Sequence, residues 1–388
     1  MKFLDCIQIS PPVSLVKGKI YSFIEMANVS TVFREPDYID VKAFSSGTKF
    51  EDGDTVIARI EPCLQNGKRF FVKGIGKGFG STEFLVFRPK TIGVDNKYLY
   101  YFMKTEYIQQ LMVSSMTGAT GRQRVNNDIF ADLEISLPDI SVQRRIASIL
   151  SAYEDLIENN RRQIKLLEEA AQRLYREWFV ELRFPGHESV KVVDGVPEGW
   201  MKGTVDNIVK LLSGYPFKSS EYVSSGKYRL ITIKNVKDGE FSPDNVDYID
   251  QLPDKVPSHC ILTEGDILLS LTGNIGRVCI VNGYNYLLNQ RVAKLQTLHP
   301  AYAYCMFRSK EMLNKMTALS NGVAQQNLSP IRAEKIRILI PSSNLLFQFK
   351  NIVEPIISQI ILLNNQITFA CEARDRLLPE LMDGEMEV

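Results

Sequence analysis

Histidine is scarce in this chain. Of 388 residues only His187, His259 and His299 are histidines, and they lie far apart. The six cysteines (Cys6, Cys63, Cys260, Cys279, Cys305, Cys371) form no CxxC pair and keep no regular spacing. A metal centre, a Cys–His pair and a Ser–His–Asp triad therefore lack their raw material. Buried reduced thiols are the expected state, which places the chain in the cytoplasm. An excess of charge is also missing: 46 Lys and Arg against 45 Asp and Glu leave a net charge of +1. Any basic surface must come from segregating charges onto one face. Long apolar runs are absent too. "PIISQIILL" is interrupted by Gln359 and falls short of a membrane span, and "MKFLDCIQISPP" is too short and polar for a signal peptide.

Nucleotide chemistry is equally short of motifs. No GxxxxGK[ST] loop occurs. "GIGKGFG" (residues 74–80) is followed by the strand-like "STEFLVFRP" and not by a helix that could meet phosphates, so it is predicted to be a hairpin turn. The carboxylates of "PDYIDVK" (36–42) are too close in the chain for a strand-separated nuclease site, and no Asn/Asp-Pro-Pro-aromatic stretch is present. The chain is expected to be non-catalytic.

What the chain does contain is itself, twice. Its length allows two or three domains, and 45% hydrophobic with 23% charged residues is ordinary for a folded protein. Ile146, Leu150, Tyr153, Ile157, Asn160, Ile164, Leu167, Ala171, Leu174 and Trp178 follow steps of four and three, a heptad seam. Adding 203 reaches Phe349, Val353, Ile356, Ile360, Leu363, Ile367, Ala370, Arg374, Leu377 and Leu381, with Arg374 the one charged member. At the same offset "LEISLP" (133–138) faces "IRILIP" (336–341), both strand-like. Upstream, Asp54 of "EDGDTVIARI" aligns with Asp266 of "TEGDILLSLT", and Asn28 with Asn235.

The layout is domain, helix, domain, helix. Residues 1–140 and 184–343 read as two similar α+β domains with short alternating strands and a helix near 95–113; residues 141–183 and 344–388 read as helices. Pro355 predicts a break or kink near 354. An apolar stripe cannot stay in water, so the two helices are expected to pack on each other as a coiled coil, with Arg161, Arg162, Lys165, Glu168 and Glu169 as its charged flanks. The seam from 146 to 178 spans about 48 Å at ~1.5 Å per residue.

Both domains offer basic and amide-rich loops. The first has Arg59, Asn66, Lys68 and Arg69 around a turn, then Lys73 and Lys77, then Arg122, Gln123, Arg124 and Asn126 in "GATGRQRVNN". The second has Thr272, Asn274 and Arg277 in "LTGNIGR", Asn289, Gln290 and Arg291 in "LNQR", and Gln325, Gln326 and Asn327 in "NGVAQQNLS". Arg matches guanine edges and Asn or Gln matches adenine edges, while Lys and Arg nearby hold phosphates. Such loops suit base reading in double-stranded DNA, and their recurrence at corresponding places in two copies strengthens a reading that either copy alone supports only weakly; the alternative is a coiled-coil scaffold that binds protein only.

"DLIENNRRQIKLLEEAAQRLYREWFVELRFPGHE" with "VPEGW" (196–200) closely resembles the central region of Type I restriction–modification specificity subunits. "GYPFKSSEYV", "EGDILLSLTGNIGR" and "GVAQQNLSPIRAEKIRILIP" resemble that family's second target-recognition domain. The resemblance implies two recognition domains, each reading half of a bipartite asymmetric site, joined by antiparallel helices with a pseudo-two-fold axis. It also implies that the helices set the spacing and dock two methyltransferase subunits, with restriction subunits joining later. S-adenosylmethionine, ATP and magnesium would then belong to those partners and not to this chain.

Overall fold

The computed structural model describes residues 1–244, 246–320 and 327–386. The chain forms two compact units: residues 1–160 together with the chain from 366 onward, and residues 161–365. The expected divisions at 140, 183 and 343 follow helix ends, whereas these units divide each long helix near its middle.

In chain order the first unit contains α1 (Phe3–Cys6), β1 (Ile7–Ile9), β2 (Ile20–Ile24), β3 (Asp40–Ala43), β4 (Thr48–Glu51), β5 (Thr55–Ala58), β6 (Arg69–Phe71), β7 (Lys77–Gly80), β8 (Phe84–Pro89), α2 (Asn96–Phe102) and α3 (Glu106–Ser114). The strands make two four-stranded sheets, ordered β1-β8-β5-β6 and β3-β2-β7-β4, with β2 and β7 parallel. Phe50, Phe70 and Phe84 pack edge-to-face within one buried cluster. Asp95 starts α2 by accepting the N–H groups of Lys97 and Tyr98.

The chain then runs through α4 (Ile140–Tyr175) and a single π turn (Arg176–Val180). The second unit adds β9 (Val192–Val193), β10 (Val196–Pro197), β11 (Met201–Thr204), β12 (Val209–Ser213), β13 (Tyr228–Ile231), β14 (Val236–Lys237), β15 (Glu240–Phe241), β16 (Tyr248–Ile249), β17 (Ile261–Leu262), β18 (Ile267–Ser270), β19 (Val278–Ile280), β20 (Tyr286–Leu288), β21 (Val292–Thr297), α5 (Pro300–Arg308), α6 (Lys310–Leu319), α7 (Pro330–Glu334), β22 (Arg337–Ile340) and α8 (Ser343–Met382). Its main sheets are β12-β21-β18-β19 and β16-β13-β20-β17, with β13 and β20 parallel. The two four-stranded sheets of the first unit are therefore repeated strand for strand in the second, which adds the short pairs β9-β10, β11-β22 and β14-β15. An ion pair is repeated with it: buried Asp54 holds Arg88 at 2.6 Å, and Asp266 holds Lys294 at 2.7 Å.

Three local expectations differ. Residues 133–138 form only an isolated bridge, Lys2 with Glu134, whereas Arg337–Ile340 is a full strand on β11. The reason is the partner: after Lys2 the chain turns straight into α1, leaving nothing extended to pair with. The loop 72–76 is no hairpin, because β6 and β7 belong to different sheets; Gly74 and Gly76, at φ 72° and 68°, turn the chain from one sheet to the other. The helix near 95–113 is two helices, α2 and α3, with Thr105 between them.

All ten seam positions on each long helix are buried or half-buried. In the first unit the pairing is antiparallel: Asn160 bonds Gln366, Glu154 meets Arg374, and Ile146, Ala147 and Leu150 share a cluster with Leu378 and Leu381. In the second, Phe349 near the start of α8 packs on Tyr175 and Trp178 at the end of α4. Helix α8 runs unbroken through Pro355, contrary to expectation. The missing N–H costs one backbone bond, and burial of Val353 and Ile360 on either side outweighs it. By length and composition α8 could cross a membrane. Its buried Phe349, Val353, Ile360, Leu363 and Leu381 give that apolarity a packing role instead.

Buried charges tie α4 to the helices and loops packed on it within each unit. Arg374, 1% exposed, donates to Glu154 at 3.0 Å and to the Val32 carbonyl at 3.0 Å. Arg34, 2% exposed, bonds Glu158 and Asp155. In the second unit Glu168 accepts from Tyr304 and Arg308, so it is a buried anchor and not the solvated flank expected. Removing one member of such a pair strands a charge, which costs about 3–5 kcal/mol. Arg374→Ala should lower unfolding free energy by that order in chemical denaturation, and Glu154→Leu with Arg374→Met should recover most of it. Burial raises the carboxyls of Asp155 and Asp375, but bonds from Arg34 and Lys73, and from Arg374 and Lys104, outweigh it and leave both below the usual range. Their contribution is therefore complete above the ordinary carboxylate range and lost as pH falls through the depressed values. Acid titration followed by circular dichroism should show this loss weakened in Asp155→Asn.

Candidate nucleic-acid interface

In each unit one end of the central sheet gathers the polar loops. In the first, β5 ends at Ala58, β6 begins at Arg69 and β8 begins at Phe84, while residues 117–126 lie alongside. Backbone bonds fasten them: Arg59 N–H to the Glu83 carbonyl at 2.9 Å, Val125 N–H to the Arg59 carbonyl at 2.9 Å, and Glu61 N–H to the Gln123 carbonyl at 3.0 Å. The second unit repeats the scheme. Leu271 N–H reaches the Arg291 carbonyl at 3.2 Å, and Leu328 N–H reaches the Leu271 carbonyl at 2.8 Å. The Ile60–Arg124 bridge of the first unit has its counterpart in Thr272–Asn327 of the second. Gly214 completes this end, since a Cβ there would lie 2.2 Å from the Asn289 carbonyl oxygen.

These contacts collect Arg59, Asn66, Lys68, Arg122, Gln123, Arg124 and Asn126 at one edge, and Thr272, Asn274, Arg277, Asn289, Gln290, Arg291 and Asn327 at the matching edge of the other unit. Asn66, Arg122, Asn274, Gln290 and Arg291 are exposed. Others carry structural duties. Asn126 caps the turn 127–130, Lys68 donates to the Met26 carbonyl at 2.7 Å, and Thr272 donates to Asn327 at 3.0 Å. Arg277 donates to the Asn274 amide oxygen at 3.2 and 3.3 Å once that amide faces it. Gln325 and Gln326 lie outside the described residues.

Three residues expected as DNA contacts sit elsewhere. Arg69 is buried, donating to the Met103 carbonyl and Gln109 at 2.6 Å each, and burial lowers its pKa. It fastens α3 to the sheet, because an arginine at a strand start with carbonyls overhead is drawn inward to satisfy them. Lys73 follows the far end of β6 and binds Asp155 at 3.1 Å and Glu158 at 3.2 Å, so its charge is already matched. Lys77 is exposed, but it starts β7 at the end away from the loops.

The sequence reading missed Ser81, Thr82 and Glu83. They leave β7 and enter β8 just as Asn289, Gln290 and Arg291 leave β20 and enter β21. No shared letters link "STE" to "NQR"; only the equal spacing between the strand pairs could have done so.

A family model described as the Type I restriction modification DNA specificity domain matches the chain twice, over residues 16–169 and 197–368. The chain belongs to this family. Among similar proteins, the MjaIX specificity subunit of Methanocaldococcus jannaschii is 27% identical over 308 residues, 76% of this chain and 70% of that one. The HindI specificity subunit of Haemophilus influenzae is 23% identical over 403 residues, 86% of each. The Type I S subunit from M. genitalium superposes with a TM-score of 0.58 over 98% of this chain and 95% of that one, at 15% identity, a likeness of fold. Both matched stretches of this family member contain one of the polar edges. Among the described residues no group of three His, Cys, Asp or Glu side chains could hold a metal ion.

The burial contrast separates Arg69, which holds the fold, from Arg122, which faces outward. Arg69→Ala should destabilise the chain by about 1–3 kcal/mol, since it leaves buried acceptors unpaired. Arg122→Ala should change stability by less than about 0.5 kcal/mol. Denaturant midpoints of the two variants test the difference.

Proposed function

We propose that this chain is the specificity subunit of a Type I restriction–modification complex, in which each recognition domain reads one half of a bipartite, asymmetric DNA site. The observation that carries the reading is the repeated edge. One backbone scheme is built twice, and it displays Arg122, Gln123 and Arg124 in one copy against Gln290, Arg291 and Asn327 in the other. Equal scaffolds with unequal donors suit two half-sites of different sequence. Exposed Asn66, Arg122, Gln290 and Arg291 are the strongest base-reading candidates, while Lys68 and Arg277 suit phosphates.

The paired helices then act as a spacer. About 48 Å of seam corresponds to ~14 base pairs at ~3.4 Å each, enough for two short half-sites and an unread gap. Two methyltransferase subunits dock on the helices, and restriction subunits join the assembled complex. Methyl transfer draws on S-adenosylmethionine, and translocation and cleavage draw on ATP and magnesium, all held by those partners. Family membership supports this reading, as does the antiparallel pairing of helix segments within the first unit.

Methylation mapping of genomic DNA from cells carrying the chain and its methyltransferase tests each part. Exchanging residues 1–140 for those of another family member should change one half-site and leave the other; a change in both or in neither defeats the modular reading. Inserting one heptad into both α4 and α8 should widen the unread gap by about three base pairs, since seven residues add ~10.5 Å. An unaltered gap defeats the spacer.

A further inference from the structure

Arg124 is not a free loop arginine. Its Nε donates to Glu83 Oε2 at 2.9 Å and its Nη2 donates to Glu83 Oε1 at 2.7 Å. Both partners are anchored through their backbones. Arg124 exchanges two 2.9 Å bonds with Thr117, while Glu83 donates its N–H to Ser81 Oγ and accepts the Arg59 N–H. The pair therefore holds one geometry while remaining at the surface, with side chains 45% and 24% exposed.

A guanidinium has two edges able to make paired bonds, Nε–Nη2 and Nη1–Nη2. The Glu83 carboxylate occupies the first. On the second, Nη1 makes one long bond of 3.4 Å to the Arg122 carbonyl; the remaining hydrogens of Nη1 and Nη2 can still meet a pair of acceptors, and the O6 and N7 atoms of guanine are such a pair in the major groove. An exposed carboxylate facing DNA would ordinarily repel phosphates. Here the Arg124 bonds, helped by Arg59, hold Glu83 ionised below the usual range, and its charge is spent on the arginine. The second unit lacks this device: Arg291 stands where Glu83 does, and Asn327, bonded to Thr272, stands where Arg124 does. The arrangement thus belongs to one domain's readout and is not needed to build the shared scaffold.

We propose that Glu83 is a specificity-positioning residue of the first recognition domain, buttressing Arg124 so that its Nη1–Nη2 edge meets a guanine in the half-site that domain reads. This rests on the proposed function, that the domain reads DNA. Held in one orientation, the Arg124 fork loses little freedom on meeting a guanine and cannot turn to suit a base that lacks the paired acceptors.

The test uses the full chain co-expressed with its methyltransferase subunits, with methylation mapped across the genome for wild type, Glu83→Gln and Arg124→Lys. Both variants should lose about tenfold or more of the preference for guanine at one position of one half-site. The other half-site and the thermal midpoint should stay as in wild type. If Glu83→Gln yields too little folded complex, Arg124→Lys, which keeps the charge but not the fork, decides. An unchanged preference in both variants overturns the proposal, as does equal loosening of both half-sites, or a first-domain half-site without a guanine-dependent position. Failure of the underlying reading is seen separately, when exchange of residues 1–140 leaves both half-sites unaltered.

Discussion

Buried charge between α4 and the elements packed on it is the constraint on which each unit depends. Arg374 and Glu154 lie almost fully out of water, where neither is tolerable without the other. Arg34 and Glu158 repeat the arrangement in the same unit, and Arg308, Tyr304 and Glu168 do so in the second. Apolar stripes alone would let two helices slide by a heptad at modest cost. Ion pairs that must close cannot slide, so the register is set by electrostatics and the affinity by burial.

Duplication explains why the two polar edges match. The parallel strand pair, the antiparallel central sheet, the Asp54–Arg88 and Asp266–Lys294 pairs and the Val125 and Leu328 backbone bonds recur at corresponding places. Backbone bonds of this kind tolerate any side chain except proline at the donor. The scaffold can therefore be kept while the side chains that face outward diverge, which is what the proposed reading of two unlike half-sites requires.

Several residues that read as recognition are architecture. Arg69 and Lys73 carry the right charge in the right kind of loop, yet one ties down α3 and the other neutralises carboxylates of α4. Glu83 runs the other way: an acidic residue has no obvious place on a DNA-binding edge until its partner Arg124 is seen. A single residue's charge is a poor guide because its effect depends on what stands within about 4 Å, and those neighbours come from distant parts of the chain.

Periodicity determined the architecture without help. The two heptad patterns, the α+β class of both domains and the repeat itself were all legible in the sequence, because helix and strand periods are local properties of which side chains are apolar. Pro355 misled, since a local rule about proline was outweighed by packing on both sides of it. Only the tertiary structure decided which basic residues face outward, which strands share a sheet across residues 72–76, and that Glu83 holds Arg124. Those are decisions among groups far apart in the chain, made by hydrogen-bond geometry and burial that no local pattern encodes.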